Sequence, residues 1–402
     1  MPDSEQERPW LTRSVFAIAI ASLLSDACYE LIIPLLPAFI TSLGGGPAAL
    51  GLMEGLADGI AFPFKLAGGV LADRTKRRRA FTMAGYLGVG LFMPAIALMQ
   101  STVGVITMRA VAWASRGFRS PIRDTLLVDD TNPKYINRAF GFQRALDTVG
   151  AVIGPAVAMA FIALGVQTRN AILFGVVPGV LAGLSYLFVT ERPRSVPPRA
   201  PLHLALAGLP KTFLRYLVAA GVFGAGNFSA TLLVLVAMQA LEPHMGGTLA
   251  VTYSTGLYLL HNAIQASMSY PASLLSERMG VGRLLAVAFA LFTIVAAIIA
   301  FASTSIAAVV VAFVIAAVGV AIVEPMEGTF ATQLLPADRR GTGYGVLASI
   351  NGVGDFISSA GVGLLWQYFG SAIAFGSAAA LCGAGTLLLL PLAFQARTVK
   401  NH

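Results

Sequence analysis

Charge is what this chain has least of. Of its 402 residues only 11% are Asp, Glu, Lys or Arg, while 56% are hydrophobic, against roughly 25% charged in an ordinary soluble domain. A soluble fold of this length cannot cover its surface with so few ionised groups. A mean hydropathy of +0.77 therefore excludes a water-soluble enzyme or a nucleic-acid-binding domain, and places the apolar surface against lipid. Cysteine is nearly absent too. Cys28 and Cys382 both lie in apolar stretches, which excludes a disulfide framework, offers no zinc spacing and makes both packing residues. The sequence contains no Gly-x-x-x-x-Gly-Lys-Ser/Thr phosphate loop, no His-Glu-x-x-His pair and no serine-nucleophile motif with a partner. A nucleotide-driven engine and an intramembrane hydrolase are thus disfavoured, and no cofactor or resident metal is expected. The stretch from Met1 to Arg13 lacks the basic, apolar, small-residue order of a cleaved leader, so the first span is expected in the mature chain.

What the chain does have is membrane-length apolar runs. A membrane helix needs about 20 mostly apolar residues, and twelve such spans are predicted, over 13–40, 48–72, 80–100, 103–127, 140–166, 170–190, 214–240, 249–275, 283–302, 305–332, 343–365 and 370–395. Two runs are double length. Leu284 to Val323 and Phe356 to Ala396 contain no acid or base, and they break at Ser303–Ser305 and at Gln367–Ser371. The net charge of +8 does not point to nucleic acid, because the basic residues fall between the spans. With both termini inside, 23 of the 27 Lys and Arg fall on the inner side, only Arg169 lies in an outer loop, and Lys65, Arg109 and Arg116 lie within spans. The positive-inside rule therefore places both termini in the cytoplasm of a multi-pass cell-membrane protein, with a bacterial inner membrane expected from its compact loops.

The Pro- and Arg-rich stretch after Glu191 reads as a linker, giving a bundle over 1–190, a cytoplasmic linker over 191–213 and a second bundle over 214–402. Internal echoes agree. Leu71-Ala72-Asp73-Arg74 recurs as Leu275-Ser276-Glu277-Arg278, and Arg138-Ala139-Phe140-Gly141-Phe142 recurs as Arg340-Gly341-Thr342-Gly343-Tyr344. Six spans have been used twice.

The stretch from Gly69 through Leu71, Ala72, Asp73, Arg74 and Lys76 to Arg77 and Arg78 resembles the signature loop of the major facilitator superfamily, with Lys76 at that pattern's second glycine. The resemblance extends over nearly the whole chain. It implies an all-α membrane fold of twelve transmembrane helices in two pseudo-symmetric six-helix bundles, and a monomer, since one chain holds both halves of a pathway. It also implies a cytoplasmic gate at Gly69, Asp73, Arg74 and Arg77, with a weaker echo at Glu277 and Arg278. Gly150-Ala151-Val152-Ile153-Gly154-Pro155 is similar to the fifth-helix motif of the proton-coupled drug exporters of that family, although Ala156 to Met159 lack its later glycines. Small residues four apart bring helices close and a proline bends one, so Gly150, Gly154 and Pro155 read as a helix-bend motif or as plain packing. Arg109 stands where the family carries a fourth-helix arginine.

Ionisable side chains at membrane depth are functional candidates by default. Asp26 and Glu30 share one helix face, as do Glu54 and Asp58. With Asp147 they are the proton-coupling candidates, Asp26 and Asp58 foremost. A carboxyl shielded from water holds its proton more readily than a solvated one, which suits coupling near neutral pH. The competing reading pairs these acids structurally with Lys65, Arg109 and Arg116. Arg109, Arg116, His261, Asn262 and Asp355 are candidates for the wall of a substrate cavity. Arg116, Arg119 and Arg123 form a basic stripe that either attracts an anionic substrate or latches to Asp73 and Asp147, or, for Arg119 and Arg123, anchors at the phosphate level, with Arg116 alone deep enough to demand more. Glu324 and Glu327 either gate the inner side with Arg339 or Arg340 or are partly solvated. The aromatics Tyr29, Phe62, Phe64, Trp113, Phe228, Tyr258 and Trp366 line a pocket or pack against lipid. Together these features predict an antiporter that exports a small amphipathic or cationic compound against protons. The alternatives are transport of a metal ion or chelate through His261 and a non-transporting receptor.

Overall fold

The structure, a computed structural model, describes residues 10–132, 135–191, 209–336 and 339–395. Every regular element in them is helical. The helices are α1 (Arg13–Ile32), α2 (Leu36–Ser42), α3 (Pro47–Arg74), α4 (Arg78–Ala95), α5 (Thr102–Asp130), α6 (Ile136–Ala163), α7 (Thr168–Phe174) and α8 (Val176–Leu184) in the first part of the chain. In the second they are α9 (Lys211–Gly224), α10 (Ala230–Met245), α11 (Gly247–Met279), α12 (Val281–Ala302), α13 (Ile306–Leu334), α14 (Arg340–Phe369) and α15 (Ser371–Gln395). Most of the linker expected over 191–213 lies outside the described residues.

Among the described residues, eight helical stretches are long and apolar enough to cross a membrane. The long α5, α11 and α14 fall below that apolarity. Together with α9 and α10 read as one interrupted span, they complete the twelve transmembrane helices of the two bundles. The three more polar helices are the ones that carry Arg109 and Arg116, His261, and Asp355. Both double-length runs divide where Ser and Gly stop the helix: α12 ends at Ala302 and Ser305 caps α13 by accepting from Ala308 N–H at 3.4 Å, while Gly370 separates α14 from α15 at φ +86°. Three spans are less regular than expected. A 3-10 turn at Ile33–Leu35, carrying Pro34, separates α1 from α2, Gly175 separates α7 from α8, and the seventh span is broken between Gly224 and Ala230.

By contacts the chain forms two compact units, Met1–Gly44 with Ile60–Pro197, and Gly45–Gly59 with Pro198–His402. In the first unit α1 packs chiefly on α6, and α4 on α5 and α8. The α1–α6 contact is backbone against backbone. A methyl group on Gly154 would stand 2.6 Å from the Leu31 nitrogen and 2.9 Å from the Ala27 carbonyl oxygen, and one on Gly150 would meet the Leu23 carbonyl. Pro155 lies inside α6, which continues through it. In the second unit α12 packs on α15 and α13, and α11 on α13 and α10. Phe223 and Phe289 stack there with centroids 3.6 Å apart. The first half of α3 joins this unit through Gly51, where an added methyl would lie 2.9 Å from the Gly363 α-carbon.

Backbone contacts of this kind cannot relax by turning a side chain, so the first glycine-to-alanine change there carries a strain cost of about 1–3 kcal/mol. Gly154→Ala is expected to lower the unfolding midpoint of the detergent-solubilised protein. Gly376→Ala, at a helical glycine with nothing within 4 Å of the added methyl, is expected to leave the midpoint unchanged or raise it. Differential scanning fluorimetry distinguishes the two.

Candidate functional site

The first unit gathers its ionisable groups around one face of α5. Residues three and four apart on a helix lie above one another, which aligns Arg109, Trp113 and Arg116. Arg109, 2% exposed, lays its guanidinium over the Trp113 ring at 3.3 Å. Arg116 lies 5.1 Å from the same ring and 4.9 Å from that of Tyr29, and its Nη2 donates to the Tyr29 hydroxyl at 3.1 Å. Tyr29 in turn meets Trp113 edge to face at 5.3 Å. Asp26, 7% exposed, lies near Tyr29 on the same helix and has Asp147, Arg116 and Glu30 as charged neighbours. Arg116, Tyr29 and Asp26 thus form one cluster of guanidinium, phenol and carboxyl. Asp147 is half-buried on α6, with Arg144 at 3.8 Å on the same helix.

Arg119 corrects the expectation of a phosphate-level anchor. It is 3% exposed, its guanidinium lies 3.4 Å from the centre of the Tyr86 ring, and Nη2 donates to Ser25 Oγ at 2.9 Å. Gln143 Nε2 donates to Ser22 Oγ at 2.8 Å beside it. The aromatic partner, distant in sequence, is what holds a cation this deep. Arg123 is a salt-bridge partner of its neighbour Asp124 at 2.9 Å. Lys65 is exposed.

The expected gate is only partly visible, because the side chains of Asp73 and Arg74 lie outside the described residues. A methyl group on Gly69 would stand 4.0 Å from Pro121, whereas one on Gly68 would run into the Phe118 carbonyl and Pro121. Arg77, Glu277 and Arg278 are exposed. The buried cation at this end is Arg78, which pairs with Asp129, lies 3.8 Å from Glu191, and donates its backbone N–H to Glu191 at 2.5 Å. Sequence reading missed Asp129 and Glu191; their signal is their position at the ends of spans, beside a basic cluster.

In the second unit a cavity of about 250 Å³ is lined by Asp58, Asp355 and His261, together with Asn227, Ser229 and Ser359. Asn227 and Ser229 belong to the break between α9 and α10. They were missed because an apolar run conceals a Gly226-Asn227-Phe228-Ser229 turn whose composition is itself a helix stop and start signal. Asn262 is buried beside His261 on α11, and Glu54 is buried on α3. Glu327 accepts from Asn351 Nδ2 at 2.7 Å. No three His, Cys, Asp or Glu side chains converge as a metal site among the described residues. His244 sits in the last turn of α10 and contacts the Ala240 carbonyl at 3.2 Å.

Membrane-length helices with charged and hydrogen-bonding groups turned inward define an all-α, multi-pass membrane protein with interior polar sites. More particularly, the chain belongs to the Major Facilitator Superfamily, whose sequence model matches residues 18–260 and again 218–401. An uncharacterized MFS-type transporter of Methanocaldococcus jannaschii is 28% identical over 366 residues, covering 91% of each chain. The multidrug resistance protein MdtG of Serratia proteamaculans is 27% identical over 288 residues, covering 68% of each. Among solved structures, a POT family transporter in complex with a thioalcohol-conjugated peptide superposes with a TM-score of 0.76 at 13% identity, covering 96% of each chain.

A cation stacked on a ring in a water-free setting gains about 2 kcal/mol or more, and an ammonium cannot reproduce the planar stack. Arg119→Lys is therefore expected to lose most of the stability that Arg119→Ala loses, about 2 kcal/mol, while Arg123→Lys costs about 1 kcal/mol or less. Chemical denaturation in detergent tests the contrast, and an Arg119→Lys protein as stable as the parent overturns it.

Proposed function

We propose that the chain is a secondary transporter that exports a small amphipathic or cationic compound in exchange for protons, working by alternating access with its two bundles joined by the linker over 191–213. The observation that carries this reading is the buried Asp26. Its carboxyl lies near Tyr29 and sits among Arg116, Glu30 and Asp147, so its proton can be gained or lost against a fixed cation rather than in water. That arrangement supplies what coupling requires: two charge states of one site, each met by groups already in place.

Support for the direction comes from the MdtG relative, which is a multidrug resistance protein, and from acidic groups that favour a positively charged substrate. Asp26, Glu30 and Asp147 belong to the first unit, whereas Glu54 and Asp58 belong to the second, and coupling is assigned to the first group. The glycines at 150 and 154 with Pro155 give α6 a close, bendable seat on α1. The protein is further proposed to act as a monomer in the bacterial inner membrane, with both termini cytoplasmic and the loop around Asp73 on that side. The metal alternative finds no ligand set in its support among the described residues.

The test is flux in proteoliposomes with an imposed pH gradient, using a panel of lipophilic cations, small anions and divalent metals. Asp26→Asn is expected to reduce gradient-driven flux by roughly tenfold or more, the loss of one interaction made by a single protonation state, while leaving substrate exchange without a gradient in place. Gradient-driven flux equal to the parent's sinks the assignment of Asp26, and flux of none of the compounds sinks the transport reading for them.

A further inference from the structure

The cavity of the second unit is not used by the coupling group, and its origin lies in the backbone. The span from Lys211 to Met245 is interrupted between Gly224 and Ala230. At membrane depth an interruption leaves amides and carbonyls without helical partners, and it persists only where protein or a polar cavity receives them. Both occur here. Ser358 Oγ donates to the Asn227 carbonyl at 2.9 Å, and the Ser229 N–H donates to Ser359 Oγ at 3.2 Å. The Ser229 hydroxyl caps α10, accepting from Thr231 N–H at 3.3 Å. The first turn of α10 is thereby capped from within the chain, which leaves it poorly placed to hold an anion.

The side chains on the wall are rich in acceptors. Asp58 and Asp355 line the cavity with Asn227, and its lining contains no Lys or Arg. His261 is 4% exposed, and the one hydrogen bond it makes among the described residues runs from Nδ1 to the Phe313 carbonyl at 3.4 Å. In the neutral ring Nε2 then carries a lone pair. Phe228, Phe292, Val295 and Val320 contribute an apolar surface. At about 250 Å³ the cavity is smaller than the roughly 300–1,000 Å³ that receives drug-sized ligands, so it suits one ring with a short chain.

We infer that this cavity binds the primary ammonium group of a small amphipathic amine, with Asp58 and Asp355 supplying the counter-charge, His261 Nε2 a further acceptor, and the aromatic and aliphatic wall receiving the hydrocarbon part. A primary ammonium offers three N–H donors to match several acceptors. A quaternary ammonium carries the charge without a donor, and an alcohol carries a donor without the charge. The inference rests on the reading of the chain as an exporter of amphipathic or cationic compounds and narrows it to one chemical class. It also separates the roles of two acids that the sequence presents alike, giving Asp58 to the substrate and Asp26 to the proton.

The experiment is equilibrium binding to the full chain in nanodiscs, without any gradient, using 2-phenylethylamine, its N,N,N-trimethyl derivative and 2-phenylethanol. The amine is expected to bind at least about tenfold more tightly than either of the others, a difference of about 1.4 kcal/mol. Asp58→Asn and Asp355→Asn should each weaken amine binding by a similar factor, and His261→Phe should narrow the gap between the amine and its trimethyl derivative. Equal affinity for the three probes, undiminished binding in both Asp58→Asn and Asp355→Asn, or no binding of the amine overturns the inference. The unfolding midpoint of each variant is measured alongside; should one aspartate variant fail to fold, the other and the probe series on the parent chain decide. Failure of amine binding with Asp26-dependent flux intact removes this site and leaves proton coupling standing, and the opposite result removes the coupling assignment and leaves the site.

Discussion

Lipid offers no hydrogen bonds, so every charge and every exposed amide within the spans has to be satisfied by the protein itself. In α5 that demand is met by aromatic faces. Arg109, Arg116 and Arg119 lie against Trp113, Tyr29 and Tyr86, and two of the three also donate to hydroxyls on α1. The same demand at the interrupted seventh span is met by Ser358 and Ser359 of α14. Each polar site is thus a product of the constraint that would otherwise forbid it.

The constraint also explains how the helices come so close. Where Gly150 and Gly154 bring α6 against the backbone of α1, Asp147 and Asp26 become charged neighbours. Packing of small residues, rather than attraction between the acids, is what assembles that group, since like charges repel and each is costly at depth. At the ends of the helices the logic is different. Arg78 draws Asp129 and Glu191 together, joining the start of α4, the end of α5 and the chain beyond α8 by charge.

Much of this was legible beforehand. Apolar runs of membrane length disclosed the spans, and the Ser and Gly interruptions at 303–305 and 367–371 divided the two longest where the helices do divide. The signature stretch from Gly69 to Arg78, at the end of α3 and the turn beyond it, disclosed the family. The depth of Arg119 was not legible, because an arginine near the end of a span looks the same whether it reaches headgroups or a ring, and Tyr86 lies on another helix. The break at Gly226–Ser229 was concealed by apolar residues on both sides, whose hydropathy dominates any window that includes them.

The sequence by itself determined that the chain lives in a membrane, how many times its helices cross, and which residues bear charge inside it, because those properties depend on local composition against a solvent of known thickness. Only the tertiary structure decided which of those residues act together. Asp26 and Asp58 have the same chemistry and the same helical spacing to a second acid, yet one meets Tyr29 and Arg116 and the other lines a cavity with Asp355 and His261. That difference comes from long-range helix packing, in which the partners of a buried charge are far from it in the chain and are set by where glycines allow backbones to touch.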